Sequence, residues 1–221
     1  MAEVDRQRWN ARYDAAGADG ARADPRPFLG AAERWLRALP AGARALDLAC
    51  GPGREARWLA ALGFEVDAVD VSDVAIGQAP AALAPGSGPG PADGRDEGRV
   101  RLVVADLDAG LPAEVLEHRY AVIWAGHFRG RVVEEAIERV LQPGGLVITT
   151  RLSAVGREAG AAVGGEPGAA GGRHRPDPAF LAAPGELLAL ARRHRLEVLH
   201  HEEGDGAAGL VARAGHAAGA P

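Results

Sequence analysis

The sequence predicts an α/β fold with a doubly wound, mainly parallel sheet that ends in an antiparallel hairpin. Residues 45–62 show a short apolar strand, a glycine turn and an amphipathic helix, which together form the opening of a βαβ unit. Further apolar runs then alternate with helical patterns along the chain. A Gly-Asp-Gly turn at 204–206 separates the last two runs, as expected for a terminal hairpin.

Length and composition fit one α/β domain. The chain has 221 residues, of which 47% are hydrophobic, and its formal net charge is -5. With this net negative charge, the chain as a whole has no excess of positive charge that would attract nucleic acid. No apolar run approaches the ~20 residues of a membrane span. Cys50 is the single cysteine and the first residues are charged, so we expect a cytoplasmic protein without disulfides. The sequence leaves the oligomeric state open.

The N-terminal residues predict two helices that precede the first strand. Residues 3–16 fit a helix that carries Trp9 and Tyr13 one turn apart on one face. Residues 28–39 fit a second, amphipathic helix, which a Pro-Ala-Gly sequence then stops. We therefore expect an N-terminal helical cap over residues 1–42, followed by the main domain.

The first strand and its turn predict a site for a cofactor that contains a nucleoside. Gly51 and Gly53 let the backbone turn tightly and approach a ligand, and the following helix begins with unpaired N–H groups. Asp70 ends the next strand, where a carboxylate takes ribose hydroxyls in nucleotide-binding βαβ units. The G-x-G-x-x-[GA] pattern that starts at Gly51 also fits a dinucleotide, so an NAD(P)-linked oxidoreductase remains an alternative on the glycines alone.

The rest of the chain supplies further alternating elements up to residue 214. After Asp70 a helix begins at Asp73, and Pro80 is expected to interrupt it or end it early. The remaining predicted elements are strands at 99–105, 120–124, 146–150, 196–199 and 209–212, with helices at 132–141 and 186–195. The segments predicted to be irregular are a flexible loop at 85–98, a glycine-rich lid or substrate loop at 153–178 and a disordered tail at 215–221.

One combination of motifs resembles a known family. Asp-Leu-Ala-Cys-Gly-Pro-Gly at 47–53 closely resembles motif I of the class I S-adenosylmethionine-dependent methyltransferases. The resemblance continues, in the family's order, through residues 69–72, 106–107 and 141–145. It implies a Rossmann-like doubly wound seven-stranded sheet with an antiparallel seventh strand, and S-adenosyl-L-methionine as the cofactor without a metal. Asp47 and Asp106 also weigh against the NAD(P) alternative.

The same resemblance assigns the cofactor residues. It implies that Gly51 and Gly53 leave room for the methionyl part of the cofactor and that Asp70 binds its ribose hydroxyls. It also implies that Asp106 accepts a hydrogen bond from the adenine amino group. Asp47 would orient the turn or the amino group. For Cys50 we favour a small residue packed under the cofactor over a nucleophile, since no nearby His–Asp arrangement activates it. The full predicted set is Asp47, Ala49, Cys50, Gly51, Gly53, Arg54, Asp70, Val71, Asp106, Leu107, Trp124 and Ala125.

Two further stretches predict where the acceptor binds. Trp-Asn-Ala-Arg-Tyr at 9–13 resembles the W-[ND]-x-R-Y element of small-molecule and tellurite-resistance-type methyltransferases, whose N-terminal segment closes over cofactor and substrate. The alternative is a helix that packs its aromatic residues on the domain. Residues 127–131 fall where one bacterial group shows N-[FY]-L-H-R; Arg131 matches that motif, whereas His127 replaces its Asn and is a candidate general base or a hydrogen-bond partner of a carbonyl group. The predicted substrate residues are Trp9, Arg12, Tyr13, His127, Phe128 and Arg131.

The function predicted from the sequence is methyl transfer to a small molecule. Residues 178–187 resemble the P-x-F-L-[LA]-x-P-G-E-L stretch of the same group, which would place Arg173, His174 and Arg175 beside the acceptor. These side chains would either contact an acidic group or lie in a solvated loop. A protein that binds S-adenosylmethionine without catalysis is the main alternative, and neither nucleic acid nor membrane is an expected partner.

Overall fold

The computed structural model describes residues 2–16, 26–83, 100–156 and 180–215. Their strands form one seven-stranded sheet with the order β3-β2-β1-β4-β5-β7-β6. The strands are β1 (Arg44–Leu48), β2 (Glu65–Asp70), β3 (Val100–Val104), β4 (Tyr120–Gly126), β5 (Leu141–Leu152), β6 (Glu197–Gly204) and β7 (Ala207–Arg213). The helices are α1 (Ala2–Ala16), α2 (Pro27–Ala31), α3 (Glu33–Leu36), α4 (Arg54–Ala61), α5 (Asp73–Leu83), α6 (Ala113–Leu116), α7 (Arg131–Arg139) and α8 (Glu186–Arg193).

The order of the strands reverses between β1 and β4. The chain runs outward from β1 through β2 to β3 and then crosses back to β4, and these strands and β5 pair in parallel. β7 inserts between β5 and β6 and is antiparallel to both, which confirms the predicted Rossmann-like sheet with its terminal hairpin. Ligands of such sheets bind outside the carboxyl ends of the strands at the reversal, which here are the ends of β1 and β4.

The core lies on both faces of the sheet. On β1, Leu46 and Leu48 face one cluster, which includes Val133 and Leu187, while Ala45 faces the cluster on the other side. Burial of successive residues on opposite faces is what a central parallel strand needs, and it explains the unbroken apolar run in the sequence. Buried side chains therefore cover both faces of the central part of the sheet.

Three local predictions differ from the structure. The single helix expected over 28–39 is two short helices, α2 and α3, because Gly30 lowers helix propensity and Ala32 (φ -80°, ψ -6°) closes one helix and opens the next. α5 continues past Pro80, so the expected early end was wrong; Ser72 caps its first turn and Ala79 packs into the core. Leu141 was expected on a helix but begins β5, paired with Tyr120.

Some predictions concern residues outside the described ranges. The proposed loop at 85–98 and the Arg173, His174 and Arg175 group lie there, as do most of the glycine-rich segment and residues 216–221. Of the glycine-rich segment, the described part begins with Ser153, which forms a bridge with Ala182. Within the described ranges, no helix combines the length and the apolar character needed to cross a membrane.

Candidate cofactor and substrate site

The turn after β1 has the backbone conformation that its glycines predict. Gly51 (φ 54°) and Gly53 (φ 85°) both have positive φ, and so does Ala49 (φ 58°). The Cys50 N–H donates to the Val69 carbonyl at 3.1 Å, which ties the turn to β2. A Cβ on Gly51 would lie 2.7 Å from the Tyr13 hydroxyl oxygen, so any other residue there would displace the end of the Tyr13 side chain. Glycine is therefore required at position 51 both for the turn and for the close approach of Tyr13.

Asp70 lies at the end of β2, beside this turn. Its carboxylate accepts the N–H groups of Gly51 and Ser72, each at 2.8 Å, and the residue is 5% exposed. Burial raises the pKa of Asp70, while the N–H groups of Ser72, Gly51 and Val71 act in the opposite direction. An ionised carboxylate offers about four acceptor positions, so Asp70 can fix the turn and still accept from a ligand hydroxyl.

Asp47 on β1 is a buried carboxylate without hydrogen-bond partners. It is 1% exposed and lies next to Trp124 of β4 in the sheet register, and both of its oxygens lack a partner among the described residues. Burial and then the Glu55 carboxylate raise the pKa of Asp47; Arg26 and the Ala56 N–H oppose this shift without completing hydrogen-bond geometry. Such an orphaned acceptor at the strand reversal fits a ligand with cationic N–H donors.

A cluster of charged side chains covers the start of α4 next to Asp47. The Glu55 side chain is 3% exposed and accepts Arg26 Nη1 at 2.8 Å and Arg54 Nε at 2.9 Å. Glu55 and Arg26 did not emerge from the sequence as site residues. Glu55 lies in the stretch that includes the glycine turn, so the sequence could have indicated it. Nothing in the local sequence around Arg26 indicates that its side chain reaches α4.

Helix α1 lies over the turn. Asn10 donates to Asp73 at 2.8 Å and accepts from the Ser72 hydroxyl at 2.7 Å, so α1 is attached to the first turn of α5. The rings of Trp9 and Tyr13 stack with their centroids 5.9 Å apart, as their spacing predicts. Burial and then the nearby Asp70 carboxylate raise the pKa of Tyr13, which keeps its hydroxyl protonated and able to donate.

Cys50 is buried within the turn. The residue is 5% exposed and packs among the apolar residues on the α4 side of the sheet. Burial, followed by the carboxylates of Asp47 and Asp70, raises the pKa of the thiol well above its usual value. A thiol in this environment is a poor nucleophile, in agreement with a packing role.

The predicted adenine residues follow β3. Asp106 accepts the Asp108 N–H at 2.9 Å and thereby caps a 3₁₀ turn at Leu107–Ala109. The Leu107 side chain is buried, and those of Trp124 and Ala125 lie in the core on opposite faces of β4. The contacts of these four residues with a cofactor remain predictions.

The segment after β4 holds the predicted acceptor residues. The His127 N–H donates to the Thr150 carbonyl at 3.0 Å, and this residue has positive φ (52°), so the chain turns sharply away from the sheet. His127 and Arg131 are exposed, whereas Phe128 packs partly against the core. The structure thus places His127 near the strand reversal but leaves Arg131 on the outer surface of α7.

An ion-pair network that the sequence did not reveal lies beside this segment. Glu186, the first residue of α8, accepts from Arg129 of the loop and from the buried Arg151 of β5. Its carboxylate also accepts the Ala183 N–H at 3.0 Å. The network joins β5, the loop after β4 and α8. Among the residues in the described ranges, no group of three or more His, Cys, Asp or Glu side chains is arranged to hold a metal ion.

Comparison with known proteins agrees with this geometry. Residues 45–145 match the family model of a methyltransferase domain. No curated protein matches the chain.

Solved structures with the same fold include three that are named as methyltransferases. The CcbJ methyltransferase from Streptomyces caelestis has a TM-score of 0.64 and 21% identity, over 94% of this chain and 98% of that one. A 1,6-didemethyltoxoflavin-N1-methyltransferase from Burkholderia thailandensis, solved with S-adenosylhomocysteine, has a TM-score of 0.60 and 18% identity, over 97% and 88%. A TehB-like S-adenosylmethionine-dependent methyltransferase from Corynebacterium glutamicum has a TM-score of 0.51 and 21% identity, over 96% of both chains. Residues 45–145 of the chain thus match a methyltransferase-domain model, and the chain shares its fold with solved S-adenosylmethionine-dependent methyltransferases.

Proposed function

We propose that this protein transfers a methyl group from S-adenosylmethionine to a small-molecule acceptor. The single observation that carries the proposal is the unpartnered carboxylate of Asp47, buried beside the Gly51–Gly53 turn where the strand order reverses. A buried polar group without a partner costs free energy, and it is retained where a ligand satisfies it.

The residues around the turn fit the cofactor's chemical groups. Asp47 suits the α-ammonium of the methionyl part, and the N–H groups at the start of α4 face the same turn. Asp70 keeps acceptor capacity for ribose hydroxyls after it has accepted from Gly51 and Ser72. The absence of a Cβ at Gly51 leaves the space into which the Tyr13 hydroxyl reaches.

In this mechanism the protein mainly orients the cofactor and the acceptor and excludes water from them. When bound, S-adenosylmethionine supplies a methyl group that its sulfonium already activates. Tyr13 and Trp9 of α1 cover the cofactor side of the pocket, and the Asn10 contacts with Ser72 and Asp73 hold that cover in place. His127 and Phe128 follow the carboxyl end of β4, so in this proposal they lie on the acceptor side, where His127 would accept a proton from an acceptor that needs a base.

The small-molecule acceptor is supported by analogy and by the aromatic residues of α1. The Burkholderia thailandensis methyltransferase was solved with bound 1,6-didemethyltoxoflavin, and here the stacked rings of Trp9 and Tyr13 beside the turn suit a small molecule. A protein that binds S-adenosylmethionine without methyl transfer would share all the cofactor contacts. The NAD(P) alternative is weakened by the antiparallel β7 and the methyltransferase-domain match.

Calorimetric titration with S-adenosylmethionine, S-adenosylhomocysteine and NAD tests the cofactor. We expect micromolar binding of the two sulfur nucleosides and none of NAD. Asp70→Ala should weaken both by at least about 100-fold, since a hydrogen bond to a charged group contributes about 1.5–3 kcal/mol and two are lost. Asp108→Ala, an exposed aspartate after the next strand, is the control and should bind as wild type. Binding of NAD alone would refute the proposal.

A further inference from the structure

A row of aromatic and guanidinium groups extends from the turn after β1 to the end of β5. It begins at Tyr13, whose hydroxyl reaches Gly51, and continues with Trp9, whose ring stacks on that of Tyr13. The Arg8 guanidinium lies over the Trp9 ring, 5.5 Å from its centroid, and over the Phe180 ring, 5.7 Å from its centroid. Helix α1 is thereby in contact with the segment that leads into α8.

Backbone hydrogen bonds hold Phe180 near the carboxyl end of β5. Two residues after it, the Ala182 N–H donates to the Leu152 carbonyl at 2.7 Å, and the Ala182 carbonyl accepts the Ala154 N–H at 3.3 Å. Phe180 is 46% exposed, so it presents apolar surface besides its contact with α1. Because β1 and β5 both run parallel to β4, the two ends of the row lie at the carboxyl edge of the sheet, where ligands of this fold bind.

Two arginines of this row carry positive charge that the described residues do little to neutralise. Arg12 lies over the same Trp9 ring, 5.2 Å from its centroid, and makes no hydrogen bond or ion pair with any residue in the described ranges. Arg8 pairs with Asp5 at 3.3 Å, and both of these side chains are exposed. Since Arg8 and Arg12 stand one helical turn apart, their charges repel, and an anion bound between them would relieve this repulsion.

The way in which these guanidinium groups are held suits them to bind a carboxylate. A guanidinium that lies over an aromatic ring contacts it with its face, and the N–H groups along its edge can still donate. Such edges form charge-assisted hydrogen bonds with carboxylate oxygens. The neighbouring rings of Trp9 and Phe180 offer flat apolar surface to the rest of the same ligand.

We propose that the acceptor site takes a planar aromatic carboxylate, whose carboxylate binds Arg8 and Arg12 and whose ring lies against Trp9 and Phe180. The inference rests on the proposed function and adds the chemical class of the acceptor. It brings Arg8 and Phe180 into the acceptor site beside Trp9 and Arg12. The contact of Tyr13 with the glycine turn places this site next to the proposed position of the cofactor.

Pairs of aromatic compounds that differ only in charge test this class of acceptor. Benzoate and naphthoate are each compared with the corresponding carboxamide, by ligand-observed NMR titration of the protein saturated with S-adenosylhomocysteine. We expect at least one carboxylate to bind about tenfold more tightly than its amide, because charge-assisted hydrogen bonds add affinity that solvent at exposed side chains reduces. Arg8→Gln and Arg12→Gln should each lower this preference to about threefold or less, whereas Phe180→Ala should weaken both members of a pair alike.

The controls separate this inference from the fold and from the proposed function. Arg37→Gln removes an arginine from an exposed pair with Glu33 on α3 and should leave the preference for the carboxylate unchanged. The affinity for S-adenosylhomocysteine should stay within about twofold of wild type in every variant, which reports that each one is folded. If neither carboxylate binds more tightly than its amide, or if either Arg8→Gln or Arg12→Gln keeps the full preference, the inference is overturned and the cofactor assignment stands. If the wild-type protein does not bind S-adenosylhomocysteine, the proposed function falls, and this inference falls with it.

Discussion

Two buried aspartates on neighbouring strands, Asp67 of β2 and Asp47 of β1, are equally removed from solvent and have opposite surroundings. Each is 1% exposed. Asp67 accepts from the Tyr120 hydroxyl, from Arg101 Nε at 2.7 Å and from Arg44 Nη1 at 3.2 Å. Asp47 accepts from no group among the described residues. The same side chain in the same sheet is thus fully paired at one position and orphaned at the other.

The position along the sheet explains the difference. Arg44 and Tyr120 are the first residues of β1 and β4, so the donors to Asp67 come from the amino end of the sheet. Asp47 lies one residue from the carboxyl end of β1, on the opposite face, beside the turn of the proposed cofactor site. Asp67 is thus satisfied by donors from the amino end of the sheet, whereas Asp47, near the carboxyl end, keeps the unsatisfied charge that the proposed cofactor site requires.

The largest expected effect comes from breaking the paired site. Asp67→Asn removes the charge that three donors from three strands share, so the guanidinium groups of Arg44 and Arg101 lose their buried carboxylate partner. We expect a loss of about 3 kcal/mol in the free energy of unfolding, at the low end for a broken buried pair because Arg44 and Arg101 are partly exposed. Urea unfolding followed by circular dichroism measures it.

The matched control lies on the same strand. Glu65→Gln removes an exposed carboxylate that pairs with the same Arg44 at 3.3 Å. It should change stability by less than about 0.5 kcal/mol, because exposed ion pairs contribute little. If the two substitutions cost the same, burial of Asp67 is not what makes its pairing matter.

A smaller effect should follow from removing a single donor. Tyr120→Phe deletes the hydroxyl that donates to Asp67 and leaves both arginines in place. The expected loss is about 1.5 kcal/mol, the contribution of a hydrogen bond to a charged group. Combining Tyr120→Phe with Asp67→Asn should cost less than the sum of the two, since the hydroxyl loses its charged acceptor in both backgrounds. Strict additivity would show that the two side chains act independently.

The sequence predicted those parts of the fold that local pattern controls. Apolar runs with glycine between them predicted the strands and the turn, and the terminal hairpin followed from its Gly-Asp-Gly sequence. The helix over 28–39 and the early end at Pro80 were wrong, because the break at Ala32 and the packing of Ala79 into the core depend on tertiary contacts. Local propensity does not contain this information.

The site was predictable where a single stretch carries it. Asp47, Gly51 and Asp70 stand in or next to one motif, and the structure brings them together as expected. Arg26 was missed because its contact with Glu55 joins residues 29 positions apart and depends on the path of the chain before β1. The partners of Asp67 were missed for the same reason, since they come from three different strands.

A change smaller than those at Asp67 and Tyr120 sharpens the comparison most, because the substitution of aspartate by asparagine should have the opposite sign at Asp47. Asp47→Asn removes a buried charge that no hydrogen bond compensates, so the protein without ligand should gain about 1 kcal/mol at pH 7. The folded protein raises the pKa of Asp47 above its unfolded value near 4, and so binds that proton more tightly than the unfolded chain does. Wild-type stability therefore falls as the pH rises from about 4 through the folded-state pKa, whereas the asparagine variant lacks this loss.

The gain from Asp47→Asn should accordingly be present at pH 7 and shrink toward zero as the pH approaches 4, the opposite of a paired carboxylate. Urea unfolding of wild type and variant at pH 4, 5.5 and 7 measures it, with calorimetry of S-adenosylhomocysteine as the second readout. We expect the stabilised variant to bind that ligand at least about tenfold more weakly, because the ammonium then faces a neutral amide. A variant that is destabilised at pH 7, as Asp67→Asn should be, would mean that Asp47 is paired in solution and that the contrast between the two ends of the sheet does not hold.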